Sequence, residues 1–267
     1  GAGAVYDDPP VSDRERRLIV LLGLDIGTTT IKAVLYDPGQ GRIVRRAAHP
    51  TPVNHPQPEW SEHDPQVLWD VTVRCIREAV GKGETAGGET VRALAISSMA
   101  EAGVLLDAAY RPVAPIIAWY DRRSEAQVTQ IEREIDLVRL YLITGQRVSP
   151  SFGLTKLLWI KDTLPAVFLR GKHWLPIPAY LLWRMTGRMA VDATIASRTL
   201  AFDQRQMDWS AELLEYFQLT SNLFPPVFPG GSAVGTITRE FAEETGLAPD
   251  ALGVLGGIDI PQLLPAL

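Results

Sequence analysis

Apolar and polar positions define the opening of the chain. Leu18 to Leu24 form a short, nearly unbroken apolar run, the pattern of a strand buried on both faces. Asp25-Ile26-Gly27-Thr28-Thr29-Thr30 follows as a tight polar turn. Ile31 to Tyr36 then alternates with a period of two, Asp37 to Gly41 breaks it, and Arg42 to Ala48 predicts a further strand. The chain therefore opens as a meander of three strands. Pro50 to Asp64 is proline-rich and polar, a loop. Asp64 is placed to cap a helix that begins at Pro65, and Val67, Leu68, Val71, Cys75, Ile76 and Ala79 recur at helical spacing as far as Val80. After a loop at Gly81–Thr90, Val91–Ser97 predicts another buried strand. Gly103–Leu106 leads into a turn at Asp107–Pro112, and Pro115–Trp119 predicts one more strand.

From Ser124 onward the period changes to that of helices: Glu125 to Leu142, Phe152 to Lys161, and Pro178 to Met185, with Gly145 and Gly187 as C-terminal stops. Ser210 is placed to cap another helix, and Pro225, Pro226 and Pro229 mark a loop. Gly235–Ile237 predicts a short strand, Arg239–Thr245 a short helix ending at Gly246, and Leu252–Gly257 a last strand running into a Gly-Gly turn. Strands, then helices, then a returning strand predict an α/β domain with a helical insertion.

Composition narrows the function classes. The 267 residues are 46% apolar and 21% charged, ordinary for a soluble globular chain of one or two domains. A net charge of −5 argues against nucleic acid or an anionic membrane as partner, and no apolar run is long enough to span a bilayer. Cys75 is the one cysteine, so neither an internal disulfide nor a cysteine-held metal or cluster is available. The four histidines show no metal-ligand spacing. A reducing, cytoplasmic setting is expected. Residues 1–17, acidic and proline-rich and then charged, are expected to be a flexible tail.

Two constellations stand out. Asp25 to Lys32 places a glycine, a run of threonines and a lysine at a strand–turn–strand corner. Gly27 would let the backbone approach an oxyanion, Thr28, Thr29 and Thr30 offer hydroxyl donors, and Lys32 adds positive charge. Asp25 is the candidate metal ligand, holding Mg²⁺ through water. A plain polar turn is the other reading of the same residues. The second constellation is Gly256-Gly257-Ile258-Asp259, a carboxylate after a Gly-Gly turn, which on spacing alone is a surface aspartate.

The order of the segments carries a more specific resemblance. LGLDIGTTTIKAVLYD resembles the opening phosphate loop of the FGGY carbohydrate kinases, a branch of the actin, hexokinase and heat-shock ATPase superfamily. EWSEHDPQVLW, ISSMAEAGVLLD, PIIAWYDRRS, ITGQ with PSFGLTKLLWIKD, LPIPAYLLWRMTG and GVLGGID follow as they do in that family, from Leu18 to Asp259. The resemblance implies an actin-like ATPase (ribonuclease H-like) fold with a mixed sheet, five-stranded in expectation, flanked by helices. It implies a domain at 18–259 that binds sugar, with 260–267 a truncated terminus and the second, nucleotide-binding domain absent. The activity implied is ATP-dependent phosphorylation of a sugar or polyol, most like xylulose kinases, with ATP and Mg²⁺ as cofactors. The chain alone is expected not to turn over.

By the same resemblance Asp259 is the general base that takes the proton from the sugar hydroxyl. Glu101, Trp119, Asp121 and Ser151 fall at sugar-binding positions. Ala100 stands where glycerol kinases carry the arginine of an Arg-Glu pair, and Glu101 where xylulose kinases carry a histidine, so neither substrate signature is complete. For Trp119 core packing, and for Asp121 a salt bridge to Arg122 or Arg123, remain open as alternatives. The two prolines at Pro261 and Pro265 depart from the helix that the family places after the aspartate. Expected partners are the sugar or polyol, the protein's own C-terminal domain and, left open, a second copy as a homodimer. A non-catalytic sugar-sensing protein and a glycerol- or gluconate-type kinase are the other functional readings. An acyl-CoA dehydratase activator would need more cysteines than Cys75.

Overall fold

The computed structural model describes residues 19–81 and 89–258. The chain opens with β1 (Ile19–Ile26), β2 (Thr30–Asp37), β3 (Arg42–Pro50) and the short β4 (Glu62–His63), then α1 (Pro65–Val80) and β5 (Thr90–Ser98). The insertion follows. Its first half holds β6 (Gly103–Leu106), β7 (Ile116–Ile117), α2 (Glu125–Glu134), α3 (Leu137–Thr144), α4 (Gly153–Thr163) and α5 (Pro165–Arg170). Its second half holds β8 (His173–Pro176), α6 (Ile177–Thr186), β9 (Val191–Asp192), α7 (Ala193–Ser197), β10 (Phe202–Asp203), β11 (Asp208–Trp209), α8 (Ala211–Tyr216) and β12 (Val227–Phe228). The chain then returns to the main sheet with β13 (Ala233–Thr236), α9 (Arg239–Thr245) and β14 (Leu252–Ile258).

The main sheet has six strands in the order β13-β14-β5-β1-β2-β3, one more than the sequence predicts. The edge strand β13, where a short strand is expected at Gly235–Ile237, runs antiparallel to β14. β1, β5 and β14 run parallel, so their C-terminal ends share one edge. β2 and β3 complete the meander antiparallel to β1.

β1 departs from the sequence expectation of burial on both faces. Val20, Leu22, Leu24 and Ile26 are buried, whereas Ile19 is 53% and Leu21 39% exposed. The reason is layering. α1 packs on β2 and β3, α6 packs on β5 and β14, and the guanidinium of Arg184 (α6) lies 4.1 Å from the ring centroid of Trp69 (α1). The opposite face of β1 stays partly open, and it is the face that carries Asp25.

Local signals set the helix ends. Asp64 accepts hydrogen bonds from Gln66 N and Val67 N at 2.8 and 3.0 Å, with Pro65 in the first turn, as the sequence predicts. The single helix expected over 125–142 is two helices. Asp136 interrupts it because its carboxylate accepts from Val138 N and Arg139 N and so starts α3 anew. Cys75 is a buried structural thiol, its pKa pushed up to about 11 by burial. Among the described residues no helix is long and apolar enough to cross a membrane.

Candidate functional site

The antiparallel register of β1 and β2 sets Asp25 opposite Lys32, and Lys32 Nζ donates to Asp25 Oδ2 at 2.9 Å. On the other side, the parallel register sets Ser97 beside Asp25 and Gly257 beside Ser97. Lys32, Asp25, Ser97 and Gly257 thus form one row across four strands at the C-terminal edge. The connecting turn is closed by Gly27 N donating to Thr30 O at 3.1 Å. A Cβ on Gly27 would sit 3.0 Å from that carbonyl, so the turn favours glycine. Thr51 braces it from outside, its Oγ1 donating to Gly27 O at 2.7 Å and its N–H to Thr29 O at 3.0 Å. The backbone N–H groups of Thr28 and Thr29 find no acceptor among the described residues. Asp25, Gly27, Thr28, Thr29, Thr30, Lys32 and Ser97 line an open cleft of about 530 Å³. Amides without partners, hydroxyls and an ammonium around a cleft make an anion-binding surface. Ser97 was not singled out as a site residue from sequence; its register with Asp25 is what brings it in.

Asp259 lies outside the described residues, but the strand that leads to it is fixed. The ladder between β14 and β5 slips by one residue between Leu255 and Gly257. At that bulge a Cβ on Gly256 would lie 2.0 Å from Ile96 O, a contact no side chain could make. Ile258 N then donates to Thr194 Oγ1 at 3.1 Å, and Asp192 Oδ2 accepts from Thr194 N and Oγ1 at 2.7 and 2.5 Å. Burial raises the Asp192 carboxyl above its ordinary range, with the Thr194 hydrogen bonds opposing. Asp192 and Thr194 are a brace for the end of β14. The sequence signal was present in the aspartate of the segment after Gly187, to which no role was given.

Glu101 sits in the loop between β5 and β6. It has φ +67°, at the centre of a three-residue turn in which Ala102 N donates to Ala100 O at 2.8 Å. A non-glycine residue in this conformation is strained and is held by its surroundings. Arg198, at the end of α7, does the holding: Nε and Nη2 lie 2.7 and 2.5 Å from Glu101 Oε1. The loop is also tied to the end of β1, since Met99 N donates to Ile26 O at 2.9 Å.

Trp119, after β7, is 37% exposed, and its Nε1 donates to Thr28 Oγ1 at 2.9 Å. The core-packing alternative does not hold for it, because its indole reaches the Gly27–Thr30 turn. Ser151 precedes α4. Its Oγ lies 3.3 Å from Ser149 Oγ, and its carbonyl accepts from Lys156 Nζ at 2.6 Å. The buried Lys156 also donates to Pro150 O and Trp119 O at 2.7 and 3.3 Å, so one ammonium ties the Ser151 loop to Trp119. Burial lowers its pKa to about 7, against the opposing charges of Asp121 and Glu101 and with a smaller push from Arg123.

Asp121 is placed differently from the sequence expectation of a sugar contact. Its Oδ1 accepts from Arg123 N and Nε, both at 2.9 Å, and its Oδ2 from Ser61 N and Arg123 Nη2, both at 2.7 Å. Both oxygens are fully engaged and the side chain is buried, which leaves no lone pair for a hydroxyl. Burial raises its pKa, but the Arg123 and Ser61 hydrogen bonds hold it below the ordinary range. Arg123 also reaches Glu62 Oε1 at 2.6 Å and lies 3.7 Å from the Trp60 ring and 5.1 Å from the Trp159 ring. The EWSEHDPQVLW and PIIAWYDRRS segments therefore meet in one ion cluster around the buried Arg123 and Asp121.

A model of the FGGY family of carbohydrate kinases, N-terminal domain, matches residues 20–261. The chain is 32% identical over 236 residues to the xylulose kinase of Escherichia coli (strain K12), covering 88% of the chain and 48% of that protein. It is 33% identical over 227 residues to a glycerol kinase of Polaromonas sp. (strain JS666 / ATCC BAA-500), covering 82% and 45%. Among solved structures, xylulose kinase from Rhodospirillum rubrum superposes with a TM-score of 0.84 at 28% identity, over 90% of the chain and 49% of the other. The chain spans about half the length of the curated relatives it matches.

Proposed function

Since this chain belongs to the FGGY family of carbohydrate kinases, we propose that it is the sugar-binding half of an enzyme that moves the γ-phosphoryl group of ATP to a hydroxyl of a sugar or polyol. The observation that carries this reading is the shared edge of β1, β5 and β14. There the phosphate turn, the sugar loop and the strand leading to Asp259 end side by side. Phosphoryl transfer is mainly positioning and charge stabilisation, so donors and acceptor must converge on one small volume.

Each residue then has a role. The Thr28 and Thr29 amides and the hydroxyls of Thr28, Thr29 and Thr30 hold phosphoryl oxygens, and Gly27 lets them approach. Lys32 neutralises charge there. Glu101 accepts sugar hydroxyls through the oxygen that Arg198 leaves free, the Trp119 ring packs on sugar C–H bonds, and Ser151 borders the same pocket. Asp259, following the braced end of β14, takes the acceptor proton. Asp121 holds Arg123 and the Ser61 backbone instead of touching sugar.

Mg²⁺ fits the donor set. Among the described residues no three acidic or histidine side chains converge, and Asp25 is a single, partly exposed carboxylate in the cleft. That suits an ion which keeps most of its waters and binds mainly phosphate oxygens. When bound, Mg²⁺ neutralises charge on those oxygens. A second, nucleotide-binding domain completes the cleft, and xylulose is the first substrate to try.

The test is thermal stabilisation of this chain across ketoses, polyols and sugar acids, paired with ADP release by the full-length protein. One sugar should raise the melting point and support turnover, and Glu101→Gln should abolish that stabilisation. Sugar-independent ADP release that no sugar increases would refute the kinase reading.

A further inference from the structure

We propose that Trp119 is a positioning residue for the phosphate turn: its indole N–H fixes the Thr28 hydroxyl as a donor to the phosphoryl group, while its ring face forms the sugar wall. One side chain thereby links the two substrates within a single domain. The inference rests on reading the Asp25–Lys32 cleft as the phosphoryl site.

The chemistry of the contact is one-directional. An indole nitrogen donates only, whereas a hydroxyl has one proton and two acceptor lone pairs. At 2.9 Å from Trp119 Nε1, Thr28 Oγ1 therefore accepts, and its own proton must point elsewhere. Among the described residues that proton has no acceptor, and Thr28 lines the cleft with Asp25 and Lys32. A free hydroxyl rotor samples every staggered position; this one is barred from the position facing the indole, which leaves its proton more often available to the cleft.

Trp119 is itself held firmly. Lys156 Nζ donates to its carbonyl at 3.3 Å, the Tyr120 ring meets its edge at 5.5 Å, and Ala118 N donates to Ser61 O at 2.9 Å. The exposed part of the indole is what a sugar would cover. A sugar packed there restricts the ring further and so strengthens the orientation of Thr28. Sugar occupancy thereby favours productive phosphate binding.

Two measurements test this. In the ¹⁵N-labelled chain, the Trp119 indole N–H resonance is the one lost in Trp119→Phe. It should move upfield in Thr28→Val and stay in place in Thr28→Ser. In the full-length kinase, with D-xylulose and glycerol as acceptors, Trp119→Phe keeps a ring and removes the N–H. It should raise KM for ATP about three- to ten-fold, the size of one hydrogen bond, with the acceptor KM within about two-fold. Adding Trp119→Phe to Thr28→Val should cost nothing more. An unmoved indole resonance in Thr28→Val, or effects of the two substitutions that multiply, overturns the inference. A change confined to the acceptor KM does the same and leaves the kinase reading standing. If Trp119→Ala and Thr28→Val both leave ATP and acceptor affinity untouched, the reading of the cleft fails and the inference falls with it. Melting curves of each variant confirm that the comparison is between folded proteins.

Discussion

Gly256→Ala is the sharpest perturbation available at the end of β14. The added methyl would lie 2.0 Å from Ile96 O, 2.6 Å from Ile96 C and 3.3 Å from Ile96 N. All three are backbone atoms of β5, so no rotamer change relieves the clash. β14 and β5 must separate by more than an ångström at the bulge, which breaks ladder hydrogen bonds on the strand that leads to Asp259. Forcing a methyl into a site this tight costs about 3 kcal/mol or more. At about 2–4 °C per kcal/mol for a chain of this size, the melting point should fall by roughly 6–12 °C. On the role proposed for Asp259, kcat of the full-length protein should fall while KM for the acceptor changes less, because a general base acts in the transition state. Gly257→Ala is the control. Its nearest neighbour would be Thr194 Oγ1 at 3.1 Å, a side-chain contact relieved by a shift of a few tenths of an ångström, not a backbone clash at 2.0 Å. Its effect on melting should be less than half as large. Equal effects of the two substitutions, or a Gly256→Ala protein that melts like the parent, would refute the argument from the bulge.

Three further outcomes are expected. Arg123→Lys should destabilise by about 3 kcal/mol, read as a lower denaturant midpoint at constant slope, because the buried Asp121 and half-buried Glu62 carboxylates lose their fork-shaped partner. Lys156 has a folded pKa of about 7, below its value in an unfolded chain, so the unfolded state binds the extra proton between the two. Stability should therefore rise with pH from about 7 towards the ordinary lysine range, a slope that Lys156→Met should flatten in chemical denaturation at several pH values. His63 is kept below its ordinary pKa by burial, with only a backbone carbonyl opposing. The folded state resists its protonation, so acid should destabilise the protein as pH falls through the unfolded histidine range, and less so in His63→Asn.

What the sequence disclosed and what it withheld divide by range of interaction. The turn after β1 is legible because its causes are local: an apolar strand, a glycine where a Cβ would meet Thr30 O, and a strand of period two. The α1 cap and the glycine stops at Gly145 and Gly187 are equally local. β1 was misjudged because an apolar run does not say whether a second layer will cover its other face. The helix over 125–142 was misjudged because apolar spacing continues through Asp136 while the cap does not. The least legible parts are pairs distant in sequence. Glu101 and Arg198 are 97 residues apart, and Asp121 meets Ser61 across 60. Neither partner is unusual in its own neighbourhood.

The same distinction separates two kinds of motif residue. The W-x-E and D-x-R segments look like a constellation for chemistry, since they gather acids, a guanidinium and indoles. In the structure Arg123, its side chain 2% exposed, ties the Asp121 and Glu62 carboxylates together, and both Asp121 oxygens are fully engaged. That aspartate has no valence left for a ligand. Asp25, Thr28, the turn amides and Glu101 are each left with donors or acceptors unspent, at the edge where three parallel strands end. Trp119 sits between the two sets: it directly precedes Tyr120 and Asp121 in the chain, its carbonyl accepts from the buried Lys156, and its indole donates into the open set. A rigid, self-satisfied base that holds an unsatisfied surface is what positioning chemistry requires, because groups that must stabilise a transition state cannot also reorganise to meet it.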